Sequence, residues 1–186
     1  MTAIKNAKIA ILATDGYEKS ELFKPRKQLT DAGADVTIVS LESGSIKSWD
    51  EDDWGESVDV DKTLDQVSVA DFDALVLPGG QINPDKLRTD EAAVTFVREF
   101  FDSGKTLAAI CHAPWLLVEA DVLKGRNVTS FHSIKTDVKN AGGEWEDSEV
   151  VVDQALITSR CPDDIDAFCD KIIEEVREGR HKREAA

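Results

Sequence analysis

Apolar positions along this chain form blocks of two kinds, and the two kinds alternate. KIAIL at 8–12 and VTIVS at 36–40 are apolar runs of strand length, whereas between them, over 20–32, apolar positions recur at helical spacing. Strand, helix and strand in that order predict a βαβ unit. Ser20 can cap the helix and Gly33 can end it in the left-handed conformation, with Pro25 kinking it or shifting its start. The pattern breaks over 42–65, where Gly, Ser and acidic residues alternate with a few apolar ones, and a short surface hairpin is expected there. Trp49 and Trp54 within it suit either an interface or an anchor for the loop.

Alternation resumes with ALVLPGG at 74–80, a buried strand running into a Pro-Gly-Gly turn, and then a helix over 91–102 that stops at Gly104. LAAIC at 107–111 is apolar throughout, as a central parallel strand covered on both faces should be, and Pro114 is placed for the first turn of the next helix. VTS at Val128, EVVVD at Glu149 and ALITS at Ala155 supply further strands. Ile165, Phe168, Ile172, Ile173 and Val176 mark one face of a final helix. Strands alternating with helices predict one α/β domain over 1–186, with a mostly parallel open sheet and helices on both faces. Its core spans about 8–177, and a tail at about 178–186 is expected to fray. In such a sheet ligands bind at the carboxyl ends of the strands.

Composition narrows the function classes. Hydrophobic residues at 41% and charged residues at 32% describe a globular chain able to bury a core. No stretch approaches the roughly 20 apolar residues of a membrane span, and the first twelve residues lack a cleavage signal, so a cytoplasmic protein without membrane partners is expected. A formal charge of −15 would repel a phosphate backbone, which argues against nucleic acid as a partner. Cys111, Cys161 and Cys169 form neither an even disulfide set nor a CxxC pair, and read as free thiols. Nothing suggests a metal or an organic cofactor.

Chemistry concentrates at Cys111. A thiol at the carboxyl end of a central strand, opening a helix, faces backbone N–H groups and the positive end of a dipole, both of which favour thiolate. That placement serves covalent catalysis or peroxide sensing, and an inert core cysteine fits it equally. Gly79 and Gly80 let a backbone N–H approach without a side chain in the way, so Gly80 with the N–H of His112 can form an oxyanion hole. His112 adjoins Cys111 and either acts as a base or points elsewhere; His132 and His181 are weaker candidates. Glu18 follows the first strand and can reach the same edge, where a protonated carboxyl would hold the sulfur ionised. Alternatively it complements the dipole of the first helix.

These pieces form a pattern. DGYEKSEL, LVLPGG, LAAICHAP, LKGRNVTS, NAGGEWEDSEVVVD and LITSRCPDD, in order between Lys8 and Glu175, resemble the PfpI-like intracellular protease family. The resemblance implies a class I glutamine amidotransferase-like fold, a flavodoxin-like sandwich. It implies Cys111 as nucleophile, Glu18 as thiol partner and His112 as base, with a third acid, aligned here to Asp85, supplied by a neighbouring subunit of a dimer or hexamer. Asp85 stands where members commonly carry Glu, Ala113 where Gly is usual, His132 where Pro is common and Cys161 where Gly is frequent. The implied activities are removal of early glycation adducts, conversion of reactive aldehydes to hydroxy acids, and peptide hydrolysis. A non-enzymatic redox sensor or holdase using oxidation of Cys111 is the rival. Glutamine amidotransfer is disfavoured because no late HxE pair is present.

Overall fold

The chain was analysed as a computed structural model that describes residues 4–181. In chain order, β1 (Lys8–Leu12) leads through the two-residue β2 (Tyr17–Glu18) into α1 (Lys19–Asp31) and β3 (Asp35–Ser40). β4 (Ser45–Asp50) and β5 (Asp53–Asp59) form the expected hairpin, with Glu51 at positive φ in its turn, and β2 pairs alongside β4 in a small separate sheet. After β6 (Lys62–Thr63) come β7 (Ala74–Leu77), α2 (Ile82–Leu87), α3 (Glu91–Asp102), β8 (Thr106–Ile110) and α4 (Pro114–Glu119). β9 (Asn127–Val128), α5 (Lys135–Asn140), β10 (Glu144–Trp145), β11 (Val150–Asp153), β12 (Leu156–Ser159) and α6 (Ile165–Glu178) complete the fold.

The main sheet has the order β11-β12-β8-β7-β1-β3-β6, parallel except for the edge strand β11. Leaving out the edge strands β6 and β11, this is the flavodoxin-like order 2-1-3-4-5. The apolar runs are uninterrupted because both faces are covered. On β1, Ile9 and Ile11 enter one core layer and Ala10 and Leu12 the other, as a side-chain period of two dictates. α1 and α6 close the first layer with Leu22, Leu29, Phe168 and Ile172; α2 to α5 close the second with residues including Leu87, Phe100, Leu117 and Val138. Phe100 and Phe168, fully buried on opposite faces, contribute roughly 1.5–3 kcal/mol each by leaving water.

Three local expectations are revised. The cap of α1 is Glu18 and not Ser20: Glu18 has extended backbone, and its Oε1 accepts from Ser20 N at 3.4 Å and Ser20 Oγ at 3.0 Å. α1 runs through Pro25 to Asp31. Residues 179–181 are tied down, since Gly179 ends α6 at positive φ and His181 N–H donates to Gly104 O at 2.9 Å. The rest of the tail lies outside the described residues.

Candidate active site

The connection from β1 departs toward β3 and that from β7 toward β8, in opposite directions, which opens a crevice above the carboxyl ends of β1 and β7. Fully buried Asn83, on α2, holds its two sides together. Its Oδ1 accepts from Thr14 N–H at 2.7 Å, and its Nδ2 donates to Pro78 O at 2.8 Å and Gly79 O at 3.3 Å. Glu18 N–H adds a bond to Gly79 O at 3.3 Å. The Pro-Gly-Gly turn needs both glycines. A Cβ on Gly79 would lie 2.7 Å from Glu21 Oε2 and 2.8 Å from Cys111 Cβ, and one on Gly80, at φ +76°, would lie 2.6 Å from Gly16 O. Gly80→Ala combines left-handed strain with overpacking against backbone and should destabilise the fold by about 2–4 kcal/mol, measured as a lowered urea midpoint.

Cys111 sits at the mouth of this crevice, one residue past β8. Its N–H continues the ladder to Ser159 O at 3.0 Å, and its backbone then turns to φ +64°, a left-handed conformation uncommon for a side-chain-bearing residue. The turn leaves the thiol 6% exposed, with the N–H groups of Gly80 and His112 directed at the sulfur. α4 is only six residues long, so these two N–H groups, more than a helix dipole, are the electrostatic support for sulfur charge.

The carboxyl group beside the thiol is Glu21, and Glu18 does not take that place. Glu18 turns its side chain back as the cap of α1, whereas Glu21 begins the buried stripe of the helix with Leu22, Pro25 and Leu29. Glu21 Oε2 accepts from Gly79 N–H at 2.8 Å, and Oε1, also buried, has no aligned hydrogen bond among the described residues; the Cys111 thiol is the ionisable group next to it. Burial pushes the Glu21 carboxyl up to about 8. Burial, and then a charged Glu21, push the Cys111 thiol up, while the Gly80 and His112 N–H groups pull it down. Two negative charges side by side out of water are costly, so the two groups do not ionise together. With Glu21 protonated, charge that develops on the sulfur faces both N–H groups.

His112 completes the arrangement. Its Nδ1 lies 3.2 Å from Cys111 Sγ, its Nε2 lies 3.1 Å from Ser133 Oγ, and its ring stacks on Phe131 at 4.8 Å. Burial, with a smaller contribution from the nearby His132, lowers its pKa, leaving the imidazole neutral at pH 7. The same architecture recurs among known proteins. A family model described as the DJ-1/PfpI family matches residues 7–175.

The chain belongs to the DJ-1/PfpI family. It is 49% identical over 163 residues to protein/nucleic acid deglycase 2 of Escherichia coli (strain K12), covering 87% of this chain and 92% of that one. Drosophila melanogaster DJ-1beta superposes with a TM-score of 0.83 at 30% identity, over 93% of this chain and 95% of that one. A two-domain protein of Anabaena variabilis with DJ-1/ThiJ/PfpI-like and ferritin-like domains superposes with a TM-score of 0.87 at 36% identity, over 92% of this chain and 48% of that one. The chain thus spans about half of that two-domain protein.

Within this DJ-1/PfpI domain, Gly80, Cys111 and His112 meet at one crevice, while Asp85 does not join them. Asp85 lies on α2 with its side chain 67% exposed, 4.0 Å from Arg88. Cys169 is a buried core residue, and Cys161 donates to Asp164 Oδ2 at 3.6 Å beside Pro162, which lines the cavity. Among the described residues, the one group spaced to hold a metal ion is Glu175, Glu178 and His181. It lies by Gly104, at the end of β8 opposite Cys111, with His181 Nε2 3.1 Å from Glu175. Sequence reasoning missed Glu21, Asn83 and Ser133. Glu21 alone left a trace, as a charged residue in phase with the apolar stripe of α1. No helix among the described residues is long and apolar enough to cross a membrane.

Proposed function

We propose that this protein removes reactive carbonyl groups, both free oxoaldehydes such as methylglyoxal and the early adducts they leave on amino groups, with Cys111 as nucleophile. The carrying observation is the placement of the Cys111 thiol beside the buried Glu21 carboxyl, under the Gly80 and His112 N–H groups. The deglycase name of a relative 49% identical supports it. The thiolate adds to the aldehyde carbon of methylglyoxal, and the new alkoxide takes the Glu21 proton; with an adduct, the thiolate displaces the amine from the carbinol carbon and the amine leaves with that proton. Either route gives Cys–S–CH(OH)–C(O)–CH₃. His112 Nδ1, beside the sulfur, is placed to move the carbinol C–H proton to the neighbouring carbon through an enediol, giving a lactoyl thioester. Water then releases lactate and restores the thiol. The aldehyde carbon is oxidised as the ketone carbon is reduced, so no external oxidant or cofactor is consumed.

A cysteine peptidase is the second reading, favoured by the contact between Cys111 and His112. It requires a carboxylate on His112 Nε2, where this chain places Ser133, so the acid would come from Asp85 of a neighbouring subunit in a homodimer or larger assembly. Asp85→Ala separates the two. Under the carbonyl reading, lactate formation from methylglyoxal stays within about twofold of the parent; under the peptidase reading, hydrolysis of fluorogenic peptides is present in the parent and falls by about tenfold or more. Three free thiols support a reducing, cytoplasmic setting for either chemistry.

A further inference from the structure

At the end of β8 remote from Cys111, the last turn of α6 carries Glu175 and Glu178, and His181 follows three residues later. Carboxylates are out of place there, because the negative end of a helix dipole favours a cation. Glu175 is also only 7% exposed, and its Oε2, fully out of water, has no hydrogen-bond partner among the described residues. His181 Nε2 is a second such atom. It lies 3.1 Å from Glu175 Oε2 and 3.7 Å from Glu178 Oε2, and it too lacks an aligned hydrogen bond. Lys171, whose charge reaches Glu175, is held by Glu174 at 2.6 Å. Two buried polar atoms thus face each other unpaired, an arrangement that is costly unless something satisfies both. The backbone specifies where the imidazole stands. Gly179 turns the chain at φ +87°, His181 N–H donates to Gly104 O at 2.9 Å, and Gly104 sits at φ +72°, where a Cβ would overlap His181 O.

We infer that Glu175, Glu178 and His181 bind a zinc ion. Their ligand atoms all lie within 4.8 Å of one another. Zinc takes carboxylate oxygen and imidazole nitrogen at about 2.0–2.2 Å in a tetrahedron, whose ligands then stand roughly 3.3–3.6 Å apart. The separations of 3.1 and 3.7 Å from His181 Nε2 bracket that spacing. Calcium and magnesium call for more ligands, all of them oxygen, and an imidazole favours the transition metal. Glu178 and His181 are partly exposed, which leaves the fourth position to water. Zinc there fastens the end of α6 to the turn that enters β8, and takes no part in the chemistry at Cys111.

The test is calorimetric titration of the full chain, freed of metal, with zinc chloride, in the parent and in the His181→Ala and Glu175→Gln variants. The expected result is a saturable site in the parent that excess magnesium does not compete for and that each variant weakens by about tenfold or more. Saturating zinc should raise the thermal midpoint of the parent and not that of the variants. Cobalt(II) gives a second readout, since the free thiols can also take zinc. In the parent it should show the visible bands of a tetrahedral ion without a thiolate charge-transfer band. No saturable zinc binding in the parent, parental affinity in either variant, or bound cobalt carrying the thiolate band overturns the site. Should either variant fail to fold, Glu178→Gln, at a half-exposed side chain, replaces it with the same two outcomes.

Discussion

Cys111→Ser is expected to lose lactate formation and adduct removal by about a thousandfold or more while remaining folded. A serine hydroxyl ionises far less readily than a thiol, and neither the Gly80 and His112 N–H groups nor Glu21 can supply the missing nucleophile. The backbone demand is the same for both residues, since Ser must also accept φ near +64° and keep the N–H bond to Ser159 O. Circular dichroism should therefore be unchanged, with the loss of unfolding free energy limited to that of a buried hydroxyl in place of sulfur, about 1–2 kcal/mol. Lactate appearing at the parental rate in this variant would remove Cys111 from the mechanism.

Glu21→Gln should separate the two tasks given to that side chain. The amide oxygen can still accept from Gly79 N–H, and the amide NH₂ can still donate toward sulfur, but no proton can be passed to the leaving amine or the alkoxide. Turnover should fall by about 10²–10⁴-fold, while alkylation of Cys111 by iodoacetamide persists. Stability should change in a pH-dependent way. In the native protein Glu21 holds its proton to about pH 8, whereas unfolded it releases it near 4.5. The folded state thus binds more protons between those values, and native stability falls as pH rises through that window. The variant lacks this slope and should be more stable than the parent at pH 8 by a few kcal/mol, with a smaller difference near pH 5. Urea unfolding at the two pH values reads the effect; parallel slopes in the two proteins would show that Glu21 is ionised in the native state.

The location of the centre was legible in the chain, and the identity of one partner was not. Runs such as LAAIC and ALVL can be uninterrupted only where both sheet faces are covered, so their pattern was enough to assign a parallel sheet with Cys111 at a strand end. The glycines of LVLPGG likewise announced a close approach that the backbone confirms at Gly79 and Gly80. The choice between Glu18 and Glu21 depended on where α1 starts, and a shift of that boundary by one or two residues exchanges a capping carboxylate for one on the buried face. Local sequence offers acids at both positions.

Asn83 and Ser133 belong to a different class of unknown. Each acts through a partner distant in sequence, Thr14 across 69 residues and His112 across 21, and no periodicity encodes such a meeting. The alternation of apolar runs determined the layers, the sheet and the edge on which chemistry occurs, because burial acts on averages over many residues. Which carboxyl lies beside Cys111, and which hydroxyl faces His112 where an acid was expected, was decided only by the tertiary structure, because those contacts depend on the placement of single atoms to within a few tenths of an ångström.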